Sequence, residues 1–126
     1  MKLNHDCVRD LLLAIESLPK GTVWYELPYL IENTNLKSKP YSIEEIAYTA
    51  TCLTEAGFII TKPNNREPEF YSVQRLTWNG HEFLDNIRDP EIWKQTKSTV
   101  SKVAGMSLVM LGDVAKNILF KHFGLS

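Results

Sequence analysis

A chain of 126 residues has the length of one compact domain and can bury a single core without staples. Its 44% apolar and 23% charged residues sit near the globular average and exclude a mainly disordered chain. With 14 basic against 15 acidic residues the net charge is −1, which lacks the basic excess of a protein that wraps nucleic acid.

Cys7 and Cys52 fall in segments that read as helices, and a domain of this size needs no disulfide, so both read as reduced thiols. His5, His81 and His122 lie far apart, and no Cys or His pair has ligand spacing; neither a metal nor a cofactor is implied. The first six residues lack the apolar core of a signal peptide, and the apolar stretch Met106 to Leu111 is too short to span a bilayer. The expected setting is the cytoplasm, without membrane contact.

The first helix starts near Asn4, a preferred N-cap, with Asp6 in the first turn where the helix dipole favours an acid. Val8, Leu11, Leu12 and Ile15 repeat at the spacing of one buried face, and Pro19 and Gly21 end the helix. Between Thr22 and Ile31 the signal is mixed: Val23, Trp24 and Tyr25 favour a strand, and Pro28 confines it to an edge or a short piece. Asn33 to Pro40 reads as a polar loop.

Ser42-Ile43-Glu44-Glu45 has the pattern of a capping box, with Glu45 placed to reach back to the cap. Ile43, Ile46, Ala47, Ala50 and Leu53 form the apolar stripe of the helix that follows, and Gly57 closes it. Phe58 to Thr61 and Phe70 to Leu76 are the strands of a hairpin whose long connection projects as a wing. Thr77 caps a helix with Gly80, Phe83, Leu84 and Ile87 on one face; Asp89-Pro90-Glu91 opens another that runs towards Gly105. A last helix runs from about Met106 to Phe123, and no internal repeat or low-complexity segment interrupts the chain.

Helix, short strand, helix and hairpin in that order predict an α+β fold. The expectation is a winged helix-turn-helix-like domain over 1–89 and a helical C-terminal extension over 90–126, with the usual middle helix missing or very short within Leu27 to Lys39.

Three stretches also resemble a known family. They are Leu3-Asn4-His5-Asp6-Cys7-Val8-Arg9-Asp10-Leu11-Leu12-Leu13, Tyr41-Ser42-Ile43-Glu44-Glu45-Ile46 with Leu53-Thr54-Glu55-Ala56-Gly57-Phe58-Ile59, and Leu76-Thr77-Trp78-Asn79-Gly80-His81-Glu82-Phe83-Leu84 continuing through Trp93-Lys94-Gln95-Thr96-Lys97. They are similar to the domain of unknown function 2513 of bacteria, their phages and prophages. The resemblance implies a phage or prophage setting inside a bacterial host, and it brings no catalytic or binding residues with it.

The helix opened by Ser42 stands where a recognition helix would stand. Its outward face would carry Glu44, Glu45, Tyr48, Cys52 and Glu55 and no Lys or Arg, which opposes groove reading and leaves a solvated acidic face or a protein-binding one. The wing offers Lys62, Asn64, Asn65 and Arg66, with Arg75 on its second strand, as phosphate contacts; Glu67 and Glu69 weaken that patch, and a plain exposed hairpin competes with it. His81 and Glu82 are neighbours, about 100° apart on a helix, so they do not form an acid–base pair by spacing; Gly80 reads as a close-packing position. No phosphate loop, nucleophile elbow or zinc helix occurs.

The last helix has a stripe of Leu108, Leu111, Ala115, Ile118 and Leu119, and a surplus of Met106, Val109, Met110 and Phe120 off it. A helix apolar around much of its circumference is buried on more than one side, against its own domain or against a partner. The expected function is therefore that of a non-enzymatic accessory protein that binds a protein partner or a second copy of itself, with Glu44, Glu45, Tyr48, Cys52, Met106, Val109, Met110 and Phe120 as contact residues. The alternative is a DNA-binding regulator using Lys62, Asn64, Arg66, Arg75 and the basic C-terminal helices. No small-molecule substrate is evident.

Overall fold

The computed structural model describes residues 1–63, 71–102, 105 and 107–124, with the Tyr71 side chain excepted. The described residues form six α-helices and a three-stranded antiparallel sheet, an α+β chain. It divides into two compact units, Met1–His81 and Glu82–Ser126.

In the first unit, α1 (His5–Glu16) is capped by the Asn4 side chain, which accepts from the backbone N–H groups of Asp6 and Cys7. Its inner face, Cys7, Val8, Leu11, Leu12, Ala14 and Ile15, is fully or almost fully buried, as the helical spacing requires. The mixed segment resolves into a strand of only two residues, β1 (Tyr25–Glu26), followed at once by α2 (Leu27–Asn33). Pro28 limits the strand as expected, but it does so by standing in the first turn of a helix, where its missing N–H costs nothing. This seven-residue helix falls within Leu27 to Lys39, where a helix was expected to be missing or very short. The expected loop after it contains a 3₁₀ turn, Asn35–Ser38, closed by the Thr34 hydroxyl and anchored by buried Leu36.

Helix α3 (Ile43–Glu55) starts at Ser42, whose hydroxyl accepts from the Glu45 N–H at 3.1 Å. Ile46, Ala47, Ala50 and Leu53 are buried, whereas Ile43 is only half-buried at the first turn. At its other end the Phe58 N–H reaches the Leu53 carbonyl and the Gly57 N–H the Thr54 carbonyl. This paired closure needs the left-handed backbone that Gly57 supplies at φ 78°.

The hairpin strands are β2 (Ile59–Pro63) and β3 (Tyr71–Leu76), and the sheet order β1-β3-β2 places β3 at the centre. Residues 64–70 of the expected wing lie outside the described residues. The register passes from Ile60 opposite Arg75 to Thr61 opposite Val73, so Gln74 is an extra residue in β3. Thr77 donates to the Gly57 carbonyl and accepts from the Gly80 N–H, capping α4 (Trp78–Ile87). Gly80 meets the Phe58 backbone so closely that an added Cβ would overlap the carbonyl oxygen. The close approach expected of this glycine is therefore backbone against backbone.

In the second unit, α5 (Pro90–Val100) opens with Asp89 accepting from the N–H groups of Glu91 and Ile92. Helix α6 (Leu108–His122) opens with Ser107 accepting from Met110. The two helices lie against each other, with Ile92, Trp93, Thr96 and Val100 buried on α5 and Leu111, Gly112 and Ala115 buried on α6.

Candidate functional site

The inner face of α6 joins Leu111 to two small residues, Gly112 and Ala115. A Cβ on Gly112 would come within 3.1 Å of the Phe83 ring, so the helix backbone lies close to that side chain. Several large apolar side chains are left outside: Val109 is 68% exposed, Met110 51% and Phe123 61%, while Leu108, Ile118, Leu119 and Phe120 are half-buried. Successive residues turn by about 100° in a helix. Val109, Asp113, Lys116, Phe120 and Phe123 therefore share one outward stripe. Asp113 and Lys116 are both exposed in its middle, and the Lys116 ammonium lies 5.6 Å from the centre of the Phe120 ring. Lys121 and His122 stand in the last turn, where the helix dipole favours cations. Of the residues expected here, Val109, Met110 and Phe120 belong to this surface and Met106 lies outside the described residues. Phe123 and the Asp113–Lys116 pair were not singled out from sequence, although the spacing of apolar residues already placed them on the stripe.

The outward face of α3 differs. Glu44 and Glu55 are exposed, Tyr48 is exposed beside them, and Cys52 is half-buried. The Tyr48 hydroxyl is shifted upward by its hydrogen bond to Cys52 and by the Glu55 charge, so it stays protonated. Glu45 departs from the expected face: it is half-buried, and its Oε1 accepts from Asn4 Nδ2 at 3.0 Å. Its carboxylate ties α3 to the cap of α1. The acidic face therefore rests on Glu44 and Glu55 around Tyr48.

Around buried Asp10 of α1 lies a polar cluster with no local sequence signature. The Tyr41 hydroxyl donates to Asp10 Oδ2 at 2.7 Å, Lys39 Nζ lies 3.9 Å from the same oxygen, and Asn35 Nδ2 donates to the Asp10 carbonyl. Burial, then the Asp10 carboxylate, hold the Tyr41 phenol far above its ordinary range, which keeps the proton needed for that bond. Cys7, beside it, is fully buried and within 3.3 Å of the Thr49 hydroxyl; burial pushes its thiol up to about 11. A buried, protonated thiol is a poor nucleophile, and the hydrogen bonds around Asp10 and Cys7 join α1 to the segment of Tyr41 and to α3.

On the hairpin, the Lys62 ammonium sits 4.6 Å from the centre of the Trp24 ring, and Arg75 Nη1 donates to the Leu76 carbonyl. Of the three cations expected to meet phosphate, Lys62 and Arg75 make these contacts within the chain, while Arg66, with Asn64 and Asn65, lies outside the described residues. Tyr25 and Tyr29 stack beside this strand at 5.5 Å between ring centres, an aromatic pairing formed across the β1–α2 junction. His81 and Glu82 are both exposed. Among the described residues no group of three or more His, Cys, Asp or Glu is placed to hold a metal ion, and no helix is long and apolar enough to cross a membrane.

Comparison with known proteins gives the family. The profile of the hypothetical-protein family DUF2513 matches residues 2–107. The chain belongs to the DUF2513 family. An uncharacterised protein of Haemophilus influenzae is 31% identical over 128 residues, covering 94% of this chain and 96% of that one. No solved structure matches. In this DUF2513 member α6 begins at Leu108, just past the residues that the family profile matches.

Proposed function

We propose that this chain is a non-enzymatic accessory protein, of the phage or prophage setting that its family resemblance implies, and that it works by docking another protein. The reading rests on one observation: α6 covers its inner face with Leu111, Gly112 and Ala115 and still leaves Val109, Met110 and Phe123 exposed, with Phe120 half-buried beside them. Single exposed apolar residues are ordinary on any surface, whereas several aligned on one helix mark an interaction site. The scaffold for this role is a winged helix-turn-helix-like domain over 1–89. The order α1-β1-α2-α3-β2-β3 and the placement of a hairpin directly after α3 support that assignment. The extension over 90–126 supplies the docking face.

An acidic face on α3 favours protein over nucleic acid, since α3 carries no Lys or Arg. The test compares the full chain with its Val109→Glu/Met110→Glu variant in retention of protein partners, a second copy included. Association that the variant loses supports the reading. A salt-sensitive mobility shift with a short random-sequence duplex, kept in that variant and lost in Lys62→Ala/Arg66→Ala, would replace it with the DNA-binding reading.

A further inference from the structure

Resting on the reading of α6 as the docking face, we infer that its occupant is a second copy of the same helix, aligned antiparallel. From Val109 the outward residues follow at intervals of four, three, four and three: Asp113, Lys116, Phe120, Phe123. That alternation is the seam of a coiled coil, in which every seam residue inserts against the facing helix. The outer seam positions are apolar and the two central ones carry opposite charges.

The charges choose the orientation. In a parallel pair, equivalent seam positions face each other, which sets Asp113 against Asp113 and Lys116 against Lys116 of the second copy. In an antiparallel pair, the register that opposes Val109 to Phe120 of the second copy also opposes Asp113 to its Lys116. A two-fold axis then repeats both contacts, so one self-complementary patch makes two apolar and two ionic pairings. The apolar pairs lie at the ends of a span of eleven residues, about 16 Å of helix. Among the described residues Asp113 has no ion-pair partner within the chain, and Lys116 touches only the Phe120 ring, so both charges remain available for the facing helix. Polar pairs at seam positions fix register and orientation, the role assigned to them here.

The experiment uses full-length chains and sedimentation equilibrium across a wide concentration range. Wild type is expected to dimerise reversibly. Asp113→Lys sets lysine against lysine, and Lys116→Asp sets aspartate against aspartate; each alone is expected to self-associate about tenfold more weakly or worse. Mixed in equal amounts, the two variants regain opposite charges at both ionic pairings, and a heterodimer with wild-type affinity is expected. Variants that dimerise as well as wild type, or a mixture that fails to restore association, overturn the register. A wild type that stays monomeric overturns self-pairing; if it still retains a different protein that Val109→Glu/Met110→Glu loses, the docking face stands without it. Covalent capture gives a second readout independent of charge. In a Cys52→Ser background, oxidising a mixture of Val109→Cys and Phe120→Cys chains should yield a mixed disulfide dimer far faster than either chain alone, and equal yields would contradict the register.

Discussion

Helices α3 and α6 each leave one face to water, and the two faces are made of opposite materials. On α3 the apolar residues Ile46, Ala50 and Leu53 are buried, and Glu44, Tyr48 and Glu55 face outward. On α6 the buried positions are Leu111, Gly112 and Ala115, and Val109, Met110 and Phe123 stay outside. The first arrangement is complete in one chain, because water solvates its carboxylates at little cost. The second keeps apolar surface in water at about 25 cal/mol per Å², a cost that the proposed association would remove. Two amphipathic helices with equally good caps can therefore differ in whether the chain alone satisfies them.

Substitutions that respect or reverse this difference sharpen it. Leu53→Ala removes a fully buried side chain of α3 and should destabilise the chain by about 2–5 kcal/mol in denaturant unfolding, with a loss below about 1 kcal/mol showing that the α3 face is not core. Gly80→Ala drives a methyl group into the Phe58 backbone and should cost about 3 kcal/mol, whereas Gly112→Ala meets only the Phe83 ring, which can shift, and should cost about 1 kcal/mol. Equal losses at the two glycines would remove that distinction.

The buried Cys7 adds a pH dependence to the first unit. Its folded-state pKa is raised from 9.0 to about 11, so the neutral thiol is favoured by folding. That contribution is intact below pH 9 and is lost as pH rises from 9.0 through about 11, where the unfolded chain ionises first. Its size is on the order of 2 kcal/mol, and Tyr41, raised in the same direction, extends the loss further into alkali. Unfolding of Cys7→Val measured across that window should show a flatter profile than wild type, and an unchanged slope would assign the alkaline loss to Tyr41 alone.

The smallest effects test the surfaces directly. Ser42→Ala and Ser107→Ala each remove a helix cap and should each cost about 1 kcal/mol in thermal or denaturant unfolding. Glu44→Gln on α3 and Val109→Ser on α6 should both leave monomer stability within about 0.5 kcal/mol. Only the second should change association in light scattering.

What the sequence reveals about this chain is what depends on neighbours along it. The caps at Asn4, Ser42, Thr77 and Asp89 and the turn glycine at Gly57 are local, and each stands where its residue type and spacing put it. Helix α2 was obscured because seven residues hold too few turns to show a period, and because Val23-Trp24-Tyr25 before it favours extended backbone. Glu45 shows the limit most plainly. Its place in the Ser42 motif predicts a bond back to the cap, yet its carboxylate holds Asn4, which is 41 positions away. The Tyr41–Asp10 bond and the Lys62–Trp24 contact are likewise made between segments that fold together without resembling each other. For the proposed docking surface, the surplus of apolar residues at Val109, Met110 and Phe120 was legible, while its outward direction required knowing that Leu111, Gly112 and Ala115 lie inside.

The central position of β3 leaves the sheet with two margins, and both are poor templates for another chain. β1 offers two residues of backbone, too few to recruit a strand, and one of them is the charged Glu26. β2 ends in Pro63, which has no N–H to donate. Neither margin of the described sheet favours extension from copy to copy, so the association proposed through α6 would be closed and helix-mediated and would not lead to fibre growth.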